Sequence, residues 1–292
     1  TLFRSVLTSS WVSRWFLKSL RADRSPKVTL RLGSTLQGKT IVVVGAGGNL
    51  GPVWVEALLR EGSTVLALGL DATHDAALAQ LQVAYRRELR VADLDIAASG
   101  EREFESAFDG IGPDSVNGVV LNAGIDSVPG SGKVALTDYS FDDWQGVFQV
   151  NVFGVVRVLN RLLFCLTNPS SVVTLGSMYG VVSPKPALYA HFNEGAGSMK
   201  NPAYSASKAA LLAVTKQYAT YLAPEGIRVN MLTLGGVAAG QDAQFVTKFV
   251  QHVPQGRMVP REELAGALVF LLSESALSMT GQNLIVDGGY TS

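Results

Sequence analysis

The sequence predicts an α/β domain in which a doubly wound parallel sheet carries helices on both faces. Two observations support this prediction. From residue 38 onward, short apolar runs alternate with longer segments of helical periodicity, which is typical of parallel strands joined by helices. The apolar runs are also continuous rather than interrupted by polar residues, as expected for strands that are buried on both faces of a sheet.

Seven strands are expected, and each is an apolar run bounded by turn residues. In chain order these runs are KTIVVVG, STVLALGL, LRVADLD, VNGVVLNAG, SVVTLGS, GIRVNMLTLGG and GQNLIVDGG. The segments of helical periodicity are PVWVEALLREG, ATHDAALAQLQVAYRREL, SGEREFESAFDGI, SFDDWQGVFQVNVFGVVRVLNRLLFCL, AYSASKAALLAVTKQYATYLA and PREELAGALVFLLSE. The fourth of these begins with the spacing of a capping box, from Ser140 to Asp143, and the last has Pro260 near its start.

Length and composition fit a globular protein with a sizeable core. The chain has 292 residues, of which 47% are hydrophobic and 16% are charged, and this is too apolar for a disordered protein. The formal net charge is zero, so no basic excess indicates a nucleic-acid partner. No apolar run reaches the roughly 18 residues that a membrane-spanning helix needs. We therefore expect neither a nucleic-acid nor a membrane partner.

The cysteine and the histidines limit the chemistry that the chain can hold. Cys165 lies in the apolar run RLLFCLTN, so we expect a core residue rather than a nucleophile, and a single cysteine cannot form an intrachain disulfide. This favours a reducing, cytoplasmic location. The three histidines, His74, His191 and His252, are scattered without the spacing of zinc ligands, and we expect no metal site.

Residues 1–37 differ in character from the rest of the chain. They contain seven basic residues and one acid, Asp23, with aromatic residues between them. A helix on a membrane surface is one interpretation, but Pro26 and Gly33 interrupt the apolar pattern. We favour a flexible basic extension, part of which is an artefact of sequence assembly, and we place a single folded domain at residues 38–292.

A glycine-rich turn lies between the first strand and the first helix, at Gly45, Gly48 and Gly51. Glycines at this junction let the main chain turn tightly and approach a pyrophosphate, to which a helix N-terminus offers free N–H groups. Strand before and helix after is the context of a Rossmann-type dinucleotide site, although an ordinary tight turn can have the same glycines. Asp71, about 20 residues past the last glycine, lies where a carboxylate that binds the adenosine ribose of NAD is expected.

The stretch YSASK places a phenol and an ammonium group one helical turn apart. Tyr204 and Lys208 are at positions i and i+4, which share one face of a helix, and only small residues separate them. A free tyrosine has a pKa near 10 and is a poor base at neutral pH, whereas an adjacent ammonium group and the charge of an oxidised nicotinamide favour the phenolate. By itself, the stretch is also compatible with an exposed helix start.

Several motifs follow one another in a consistent order: GAGGNLG, ADLD, NAG at residues 122–124, VNVFG, LGSMYG, YSASK, GIRVN and TGQNLIVDGG. Taken together, they show that the chain resembles the short-chain dehydrogenase/reductase family, in its single-domain subgroup, over residues 38–289. The resemblance implies strand order 3-2-1-4-5-6-7 and an NAD(P)-dependent oxidoreductase that interconverts a secondary alcohol and a ketone. It also implies a homo-oligomer, a tetramer or a dimer, that buries the helices around residues 142–166 and 203–222.

The same resemblance implies roles for individual residues. Tyr204 would act as the acid/base, and Lys208 as its activator. Ser177 would orient the carbonyl group, Asn151 would organise a water-linked proton relay, and Asp93 would contact the adenine. The residues implied in cofactor binding are Gly45, Gly48, Asn49, Leu50, Gly51, Asp71, Asp93, Leu94, Asn122, Ala123, Gly124, Tyr204, Lys208, Gly235 and Val237.

Three features depart from the family pattern. The acid that is usual at the end of the second strand falls on Gly69, with Asp71 two positions later. Since no arginine follows Gly69 and no basic residue lies in the glycine turn, we expect NAD(H) to be favoured over NADP(H). The proline usual after GIRVN is Leu234, so the conformation of the turn beside the nicotinamide is open. Finally, Ser177 and Tyr204 are 27 positions apart, a wider separation than is usual.

The excess length is a long irregular segment, residues 183–201. Segments of this length in a compact domain are often functional or mobile. Its side chains suit a polar, sugar-like substrate and include Tyr189, His191, Phe192, Glu194 and Lys200. We interpret this active-site insertion as a lid over the substrate side of the cleft, with a surface insertion or an oligomer contact as the alternative.

Two other functions are compatible with the same fold. A dinucleotide-sensing protein without catalytic activity usually lacks the tyrosine or the lysine, and both are present here. A sugar-nucleotide epimerase or dehydratase usually carries a larger C-terminal substrate domain, whereas only residues 209–292 follow Lys208. Turnover of the cofactor with a panel of ketones separates the three functions.

Overall fold

A parallel sheet of seven strands runs through the centre of the domain, in the order β3-β2-β1-β4-β5-β6-β7. The computed structural model describes residues 36–127, 134–192 and 199–292. Within these residues the strands are β1 Thr40–Val44, β2 Thr64–Gly69, β3 Leu89–Asp93, β4 Val116–Leu121, β5 Leu166–Ser177, β6 Ile227–Leu234 and β7 Asn283–Val286. The predicted number of strands and their predicted order are confirmed.

Helices cover both faces of this sheet. In the described part of the chain they are α1 Gly51–Arg60, α2 Ala76–Ala84, α3 Glu101–Ala107, α4 Phe141–Phe148, α5 Val155–Leu162, α6 Pro202–Leu222, α7 Ala243–Val250 and α8 Ala265–Leu272. On one face, Trp54 of α1 and Leu268 of α8 belong to the same buried cluster as Val43 of β1. On the other face lies α6, where the hydroxyl oxygens of Thr215 and Thr174 are 2.7 Å apart. The doubly wound, Rossmann-type fold is therefore confirmed.

The parallel register places the functional loops at one edge of the sheet. Val42 of β1 is paired with Leu66 of β2 on one side and with Val119 of β4 on the other. Both neighbours run in the same direction as β1, so the chain leaves the strands at the same edge. In open α/β sheets, ligands bind at the carboxyl ends of the strands, at the point where the strand order reverses. Here that point lies between β1 and β4.

The long helix expected from Ser140 onward is interrupted. Its start is as predicted, because the Ser140 Oγ accepts a hydrogen bond from the Asp143 amide at 3.1 Å and the capping box is complete. After α4, however, the main chain forms a π-helical turn over Gln149–Gly154 before α5 begins. The helix also ends earlier than expected, at Leu162, since the chain must turn there to enter β5. A wider turn of this kind often marks a functional site.

Two other elements differ from the sequence prediction. The second predicted helix starts as a short 3₁₀ turn over Ala72–His74, and α2 begins only after Asp75, whose carboxylate accepts a hydrogen bond from the Leu78 amide at 2.9 Å. Helix α7 was not predicted as a helix. It is capped by Asp242, which accepts a hydrogen bond from the Phe245 amide at 2.9 Å. Caps of this kind satisfy amides that a helix start leaves without partners.

The core begins before the predicted start of the domain. Leu36 is fully buried, and its carbonyl accepts a hydrogen bond from the Ser63 hydroxyl at 3.3 Å. Residues 1–35 of the predicted extension lie outside the described residues. Cys165 is buried, as expected for a core residue. Among the described helices, none combines the length and the apolar character that crossing a bilayer requires.

Candidate active site

The glycine turn after β1 is held in very close contact with β4. Gly45 has a φ of +85°, and a Cβ placed on it would lie 2.4 Å from the amide nitrogen of Ala123. A Cβ on Gly51 would lie 2.0 Å from the carbonyl oxygen of Ala46. No other residue fits such contacts, so both glycines are required by the backbone itself.

Two side chains lock this turn in place. The buried indole of Trp54 donates a hydrogen bond from Nε1 to Oδ1 of Asn122 at 2.8 Å. The amide group of Asn122 in turn donates to the carbonyl oxygen of Gly45 at 2.7 Å. Asn122 and Ala123 also donate their main-chain N–H groups to the carbonyl of Val44, both at 2.9 Å. Asn122 therefore fixes the end of β4 against the glycine turn, rather than only lining the cleft.

The turn is suited to bind an anion such as a pyrophosphate. Gly48 and Asn49 are exposed and lie at the start of the ten-residue helix α1. In the described part of the chain, the amides of Gly47, Asn49 and Leu50 have no hydrogen-bond acceptor. Free amides at a helix N-terminus attract negative charge. The residues present therefore fit a dinucleotide cofactor.

The ends of β2 and β3 look different from the sequence expectation. Asp71 is exposed and has a left-handed backbone, with φ of 51°. The carboxylate of Asp93 is bound by Thr73, which donates its amide at 2.9 Å and its hydroxyl at 2.6 Å. These hydrogen bonds, the one from the hydroxyl being the stronger cause, lower the pKa of Asp93. Asp93 thus holds the loop after β2, and a contact with adenine would have to share the carboxylate with Thr73.

Gly69 lies close to the glycine turn. A Cβ at this position would be 3.1 Å from the amide nitrogens of both Ala46 and Gly47. The carbonyl of Gly69 accepts a hydrogen bond from the amide of Leu94 at 2.9 Å, which places the buried Leu94 beside it. The next residue, Leu70, is 68% exposed. The edge of this part of the cleft is therefore made of main chain and an exposed leucine.

Tyr204 and Lys208 lie on the first turns of α6, next to the end of β5. The Lys208 Nζ is 5.9 Å from the centroid of the Tyr204 ring and donates a hydrogen bond to the carbonyl oxygen of Leu175 at 2.9 Å. Ser177, the last residue of β5, lies near the Tyr204 hydroxyl, whose pKa it acts to lower. In the sequence, Tyr204 follows Ser177 by 27 positions and Lys208 follows it by 31. The fold thus brings these three polar side chains together.

Asn151 joins this group from the π-helical turn. Its amide group exchanges two hydrogen bonds with the main chain of Ile125, accepting from the amide and donating to the carbonyl, both at 2.8 Å. It also donates to the hydroxyl of Ser207 at 3.0 Å, and that hydroxyl donates to the carbonyl of Tyr204 at 2.8 Å. The wider turn thus lets a fully buried asparagine connect the end of β4 with the start of α6.

Gly124 explains why this junction is so tight. A Cβ on Gly124 would lie 3.1 Å from the Lys208 Nζ and 3.3 Å from Oδ1 of Asn151. The loop after β4 therefore passes directly over the polar group formed by Asn151, Ser177, Tyr204 and Lys208. We refer to these four residues as the polar cluster.

Burial controls the charges of this cluster. It raises the pKa of the Tyr204 phenol, an effect opposed by the nearby Ser177 hydroxyl and increased by the negative charge of Asp126. Burial also lowers the pKa of the Lys208 ammonium group from 10.5 to about 8. Burial is the largest influence on the pKa of the Tyr204 phenol in the protein alone; that Lys208, together with the charge of an oxidised nicotinamide, favours the phenolate stays a prediction.

The turn after β6 is fixed without the proline that is usual in the family. The amide of Gly235 donates to the carbonyl of Val286 at 3.0 Å, and a Cβ on Gly235 would be 2.5 Å from the Cα of Asp287. Val237 then forms a parallel bridge with Val259. Leu234 therefore leads into a turn that close packing holds in place.

The described part of the insertion, residues 183–192 and 199–201, packs against the domain. Leu188 is fully buried, and Tyr189 donates a hydrogen bond from its hydroxyl to that of Tyr179 at 3.0 Å. The Tyr189 ring lies 5.5 Å from the ring of Phe245 on α7. We call Tyr179, Tyr189, Phe245, Phe249 and Tyr290 the aromatic cluster, and Tyr204 packs against it.

A polar contact ties the same part of the insertion to α7. His191 has its Nε2 2.7 Å from Oδ1 of Asp242, and its Nδ1 3.3 Å from the Nζ of Lys248. The rings of Phe192 and His191 are in contact in a tilted arrangement, with 4.1 Å between their centroids. These residues of the insertion are therefore anchored side chains. Glu194, the remaining residue expected to hold substrate, lies outside the described residues.

The sequence gives little indication that Lys200 and Asp126 form a pair or that Trp54 fixes Asn122. Lys200, at the end of the insertion, has its Nζ 4.8 Å from the centroid of the Tyr204 ring. It forms an ion pair with Asp126, which follows β4. Trp54, which fixes Asn122, reads in the sequence as an ordinary apolar residue of α1. Within the described residues, no group of three or more His, Cys, Asp or Glu side chains is arranged to hold a metal ion.

Comparisons with known proteins identify the family. A family model described as Enoyl-(Acyl carrier protein) reductase matches residues 45–291. Galactitol 2-dehydrogenase of Rhizobium johnstonii is 31% identical over 266 residues, which cover 88% of this chain and 96% of that protein.

Two solved structures are similar over most of their length. A short-chain dehydrogenase of Leptospira borgpetersenii with bound NAD+ has a TM-score of 0.73 and 25% identity, and the match covers 93% of this chain and 100% of the other. The RhlG/NADP complex of Pseudomonas aeruginosa has a TM-score of 0.76 and 26% identity, with 90% and 100% coverage. The chain thus belongs to the short-chain dehydrogenase/reductase family and is an NAD(P)-dependent oxidoreductase that acts on CH–OH or C=O groups.

Proposed function

We propose that this protein interconverts a secondary alcohol and a ketone on a polar, polyol- or sugar-like substrate, with Tyr204 as the acid/base. The observation that carries the proposal is the convergence of the polar cluster. Its members come from the π-helical turn, the end of β5 and the start of α6, and they meet at the edge of the sheet to which the glycine turn also belongs.

Each side chain of the cluster has a task that its contacts support. In oxidation the Tyr204 phenolate takes the proton from the substrate hydroxyl, and in reduction the neutral Tyr204 phenol gives its proton to the carbonyl oxygen. Ser177, whose hydroxyl lies near that phenol, orients the same substrate oxygen. The nicotinamide ring of the bound cofactor supplies the hydride acceptor or donor and, when oxidised, a positive charge.

Lys208 and Asn151 support the proton transfer through their effects on Tyr204. With a pKa of about 8, the Lys208 ammonium group exchanges its proton readily near neutral pH. Asn151 is fully committed to the main chain of Ile125 and to Ser207. It therefore holds the first turn of α6 against the end of β4, and this fixes where Tyr204 and Lys208 point.

The substrate class is supported by the side of the cleft beyond Tyr204. The carboxylate of Asp126 is 61% exposed there, beside the Lys200 ammonium group, and both can exchange hydrogen bonds with hydroxyl groups. The aromatic cluster packs against Tyr204 as well. The similarity to galactitol 2-dehydrogenase, whose name states a polyol substrate, points to the same class.

NAD(H) is the cofactor that the end of β2 favours over NADP(H). Asp71 and Asp93 give this corner two carboxylates, which disfavour a 2′-phosphate. Arg60 and Arg261 border a groove of about 740 Å³ beside the glycine turn, but each is paired with a neighbouring glutamate, Arg60 with Glu56 at 2.6 Å and Arg261 with Glu262 at 3.1 Å.

We further infer a homo-oligomer in a reducing, cytoplasmic setting. Phe141 and Phe153, on the helices expected at the interface, are 80% and 55% exposed, and large exposed apolar groups mark interaction surfaces. Light scattering on the purified protein tests this inference; a strictly monomeric protein at micromolar concentration would contradict it.

A substrate panel tests the proposed function. The purified enzyme is assayed with polyols, the corresponding ketoses and simple cyclic or aliphatic alcohols, with NAD(H) and NADP(H) in parallel. We expect the highest kcat/KM with a polyhydroxylated substrate, and binding of NAD(H) at least as tight as that of NADP(H). A tenfold preference for NADP(H) would overturn the cofactor assignment, and turnover confined to apolar alcohols would overturn the substrate class.

A further inference from the structure

Lys200 and Asp126 form a charged pair at the edge of the polar cluster. Lys200 ends the insertion and Asp126 follows β4, so 74 positions of sequence separate them. The Lys200 side chain is only 16% exposed, whereas that of Asp126 is 61% exposed. A lysine that is nearly buried requires a compensating partner, and Asp126 provides it.

The main chain around the pair is held firmly, so the pair has a defined position. The hydroxyl of Tyr139 donates to the carbonyl of Met199 at 2.9 Å, and the amide of Met199 donates to the carbonyl of Val134 at 3.2 Å. On the other side of Lys200, the side chain of Asn201 caps α6 by accepting from the Ala203 amide at 2.9 Å. The insertion thus returns to α6 along a fixed path.

The Lys200 ammonium group lies over the ring of Tyr204, and the charge of Asp126 acts on its phenol. The Lys200 Nζ is 4.8 Å from the centroid of the Tyr204 ring, closer than the Lys208 Nζ at 5.9 Å. The other titratable or hydrogen-bonding groups around the phenol are Lys208 on the same helix, Ser177 on β5 and Tyr189 from the insertion. Asp126 is thus an acid of this environment, and its charge disfavours the phenolate.

We propose that Lys200 and Asp126 act as an electrostatic pair that sets the protonation equilibrium of Tyr204. Lys200 offsets the negative charge of Asp126 and adds a second ammonium group beside the phenol. Asp126 keeps that ammonium group in place and leaves lone pairs exposed toward the substrate side. The proposal rests on the proposed role of Tyr204, and it makes both residues positioning residues that act through this tyrosine.

The proposal predicts opposite shifts of the pH profile when Lys200 and Asp126 are substituted. Alcohol oxidation requires the phenolate, so kcat/KM rises with pH and levels off above the pKa of Tyr204 in the enzyme–cofactor complex. Lys200→Met leaves the Asp126 charge uncompensated and moves this rise to higher pH by about one unit, with kcat/KM about tenfold lower on the rising part of the profile. Asp126→Asn moves the rise to lower pH.

The double variant distinguishes the electrostatic pair from a purely structural contact. In Lys200→Met/Asp126→Asn both charges are absent, and the profile returns close to that of the wild type. Lys200→Arg keeps a cation next to Asp126 and should retain the wild-type profile. The matched control is Lys185→Met: Lys185 lies in the same insertion with its Nζ 5.8 Å from the ring of Tyr290, and its loss should not move the profile.

A second measurement does not depend on turnover. Tyrosine carrying ¹³C at Cζ is incorporated, and the Tyr204 resonance is assigned in the NAD-bound enzyme by its loss in Tyr204→Phe. We expect its titration to shift upward in Lys200→Met and downward in Asp126→Asn. If these shifts occur in a protein that turns over no substrate, the proposed electrostatic pair is supported and the proposed function is overturned. If the enzyme is active but neither the profile nor the resonance moves, the pair is overturned and the function stands.

Discussion

The two halves of the proposed cleft are built from different parts of the chain. The cofactor half, around the glycine turn and the ends of β2 and β4, is built from main chain in close contact, with glycines wherever a Cβ would be within 2.4 Å of a neighbour, as at Gly45 and Gly51. The substrate half, beyond Tyr204, is built from side chains: the aromatic cluster, the His191 contact and the pair of Lys200 and Asp126.

This difference teaches how one fold can keep its cofactor and change its substrate. Main-chain amides bind a phosphate in the same way in any sequence, provided that the backbone can take the required path. Side chains from several separate segments can be exchanged one at a time, and each exchange alters the shape and charge of the pocket. A change in one half should therefore spare ligand binding in the other.

Phe249→Ala, in the substrate half, is the substitution with the largest expected effect on stability. Phe249 is fully buried, stacks on Tyr290 at 5.0 Å and lies 5.6 Å from Phe245. Phe249→Ala should lower the free energy of unfolding by about 4 kcal/mol, because a large buried cavity forms. At a temperature where the variant is folded, NAD(H) affinity should be unchanged and the KM for substrate should rise. Denaturant unfolding and cofactor titration measure the two effects.

The control for this prediction is Val83→Ala on α2, since Val83 is 68% exposed, lies outside the inferred interface and should cost less than about 1 kcal/mol. A parallel loss of cofactor affinity in Phe249→Ala would show that the two halves are not independent.

Lys208, where the two halves meet, should make stability depend on pH. Its folded-state pKa of about 8 lies below the ordinary value of 10.5, so between these values the unfolded chain binds more protons and stability rises with pH. The stability that comes from keeping Lys208 neutral is complete above pH 10.5 and is lost as the pH falls through 8. Relative to Lys208→Met, the wild type should gain about 3 kcal/mol across this range.

Urea unfolding of both proteins at several pH values measures this difference. Tyrosines that ionise at high pH are common to both proteins, so their effect cancels when the two curves are subtracted. A flat difference would mean that Lys208 titrates as it does in water, and that its burial has no effect on its charge.

A smaller loss of stability is expected from Gly45→Ala in the cofactor half. The new Cβ would be 2.4 Å from the Ala123 amide, at a φ of +85°, and should cost about 2 kcal/mol in overpacking and backbone strain. The Kd for NAD(H) should rise at least tenfold because the loop must move. Gly112→Ala is the matched control, as no atom lies within 4 Å of its added Cβ. Cofactor affinity equal to the wild type in Gly45→Ala would contradict the close-contact account.

The same contrast explains which features the sequence could predict. Close main-chain contacts require glycine at fixed positions within one short segment, so Gly45 and Gly51 mark the cofactor half directly. Tyr204 and Lys208 are one helical turn apart, and their proximity follows from helix geometry alone. The seven apolar runs likewise predicted the fold, because the residues of each strand are continuous in the chain.

The features that the sequence could not predict join distant segments or depend on hydrogen-bond register. Trp54 and Asn122 are 68 positions apart, and Lys200 and Asp126 are 74 apart. Nothing local indicates which partner each side chain will meet. The π-helical turn at Asn151 differs from an α-helix only in the spacing of its hydrogen bonds, and its residues are apolar and polar in an ordinary helical pattern.

The central claim is that Tyr204 carries the proton in the reaction, and Tyr204→Phe tests it most directly. The variant keeps the ring within the aromatic surroundings and removes only the hydroxyl. With the best substrate from the panel, we predict that kcat falls roughly a thousandfold while the Kd for NAD(H) and the unfolding midpoint stay close to those of the wild type and of Tyr85→Phe, a control at the end of α2. Retention of more than about a tenth of the wild-type kcat, where loss of a positioned acid/base removes at least about a hundredfold, would contradict the account.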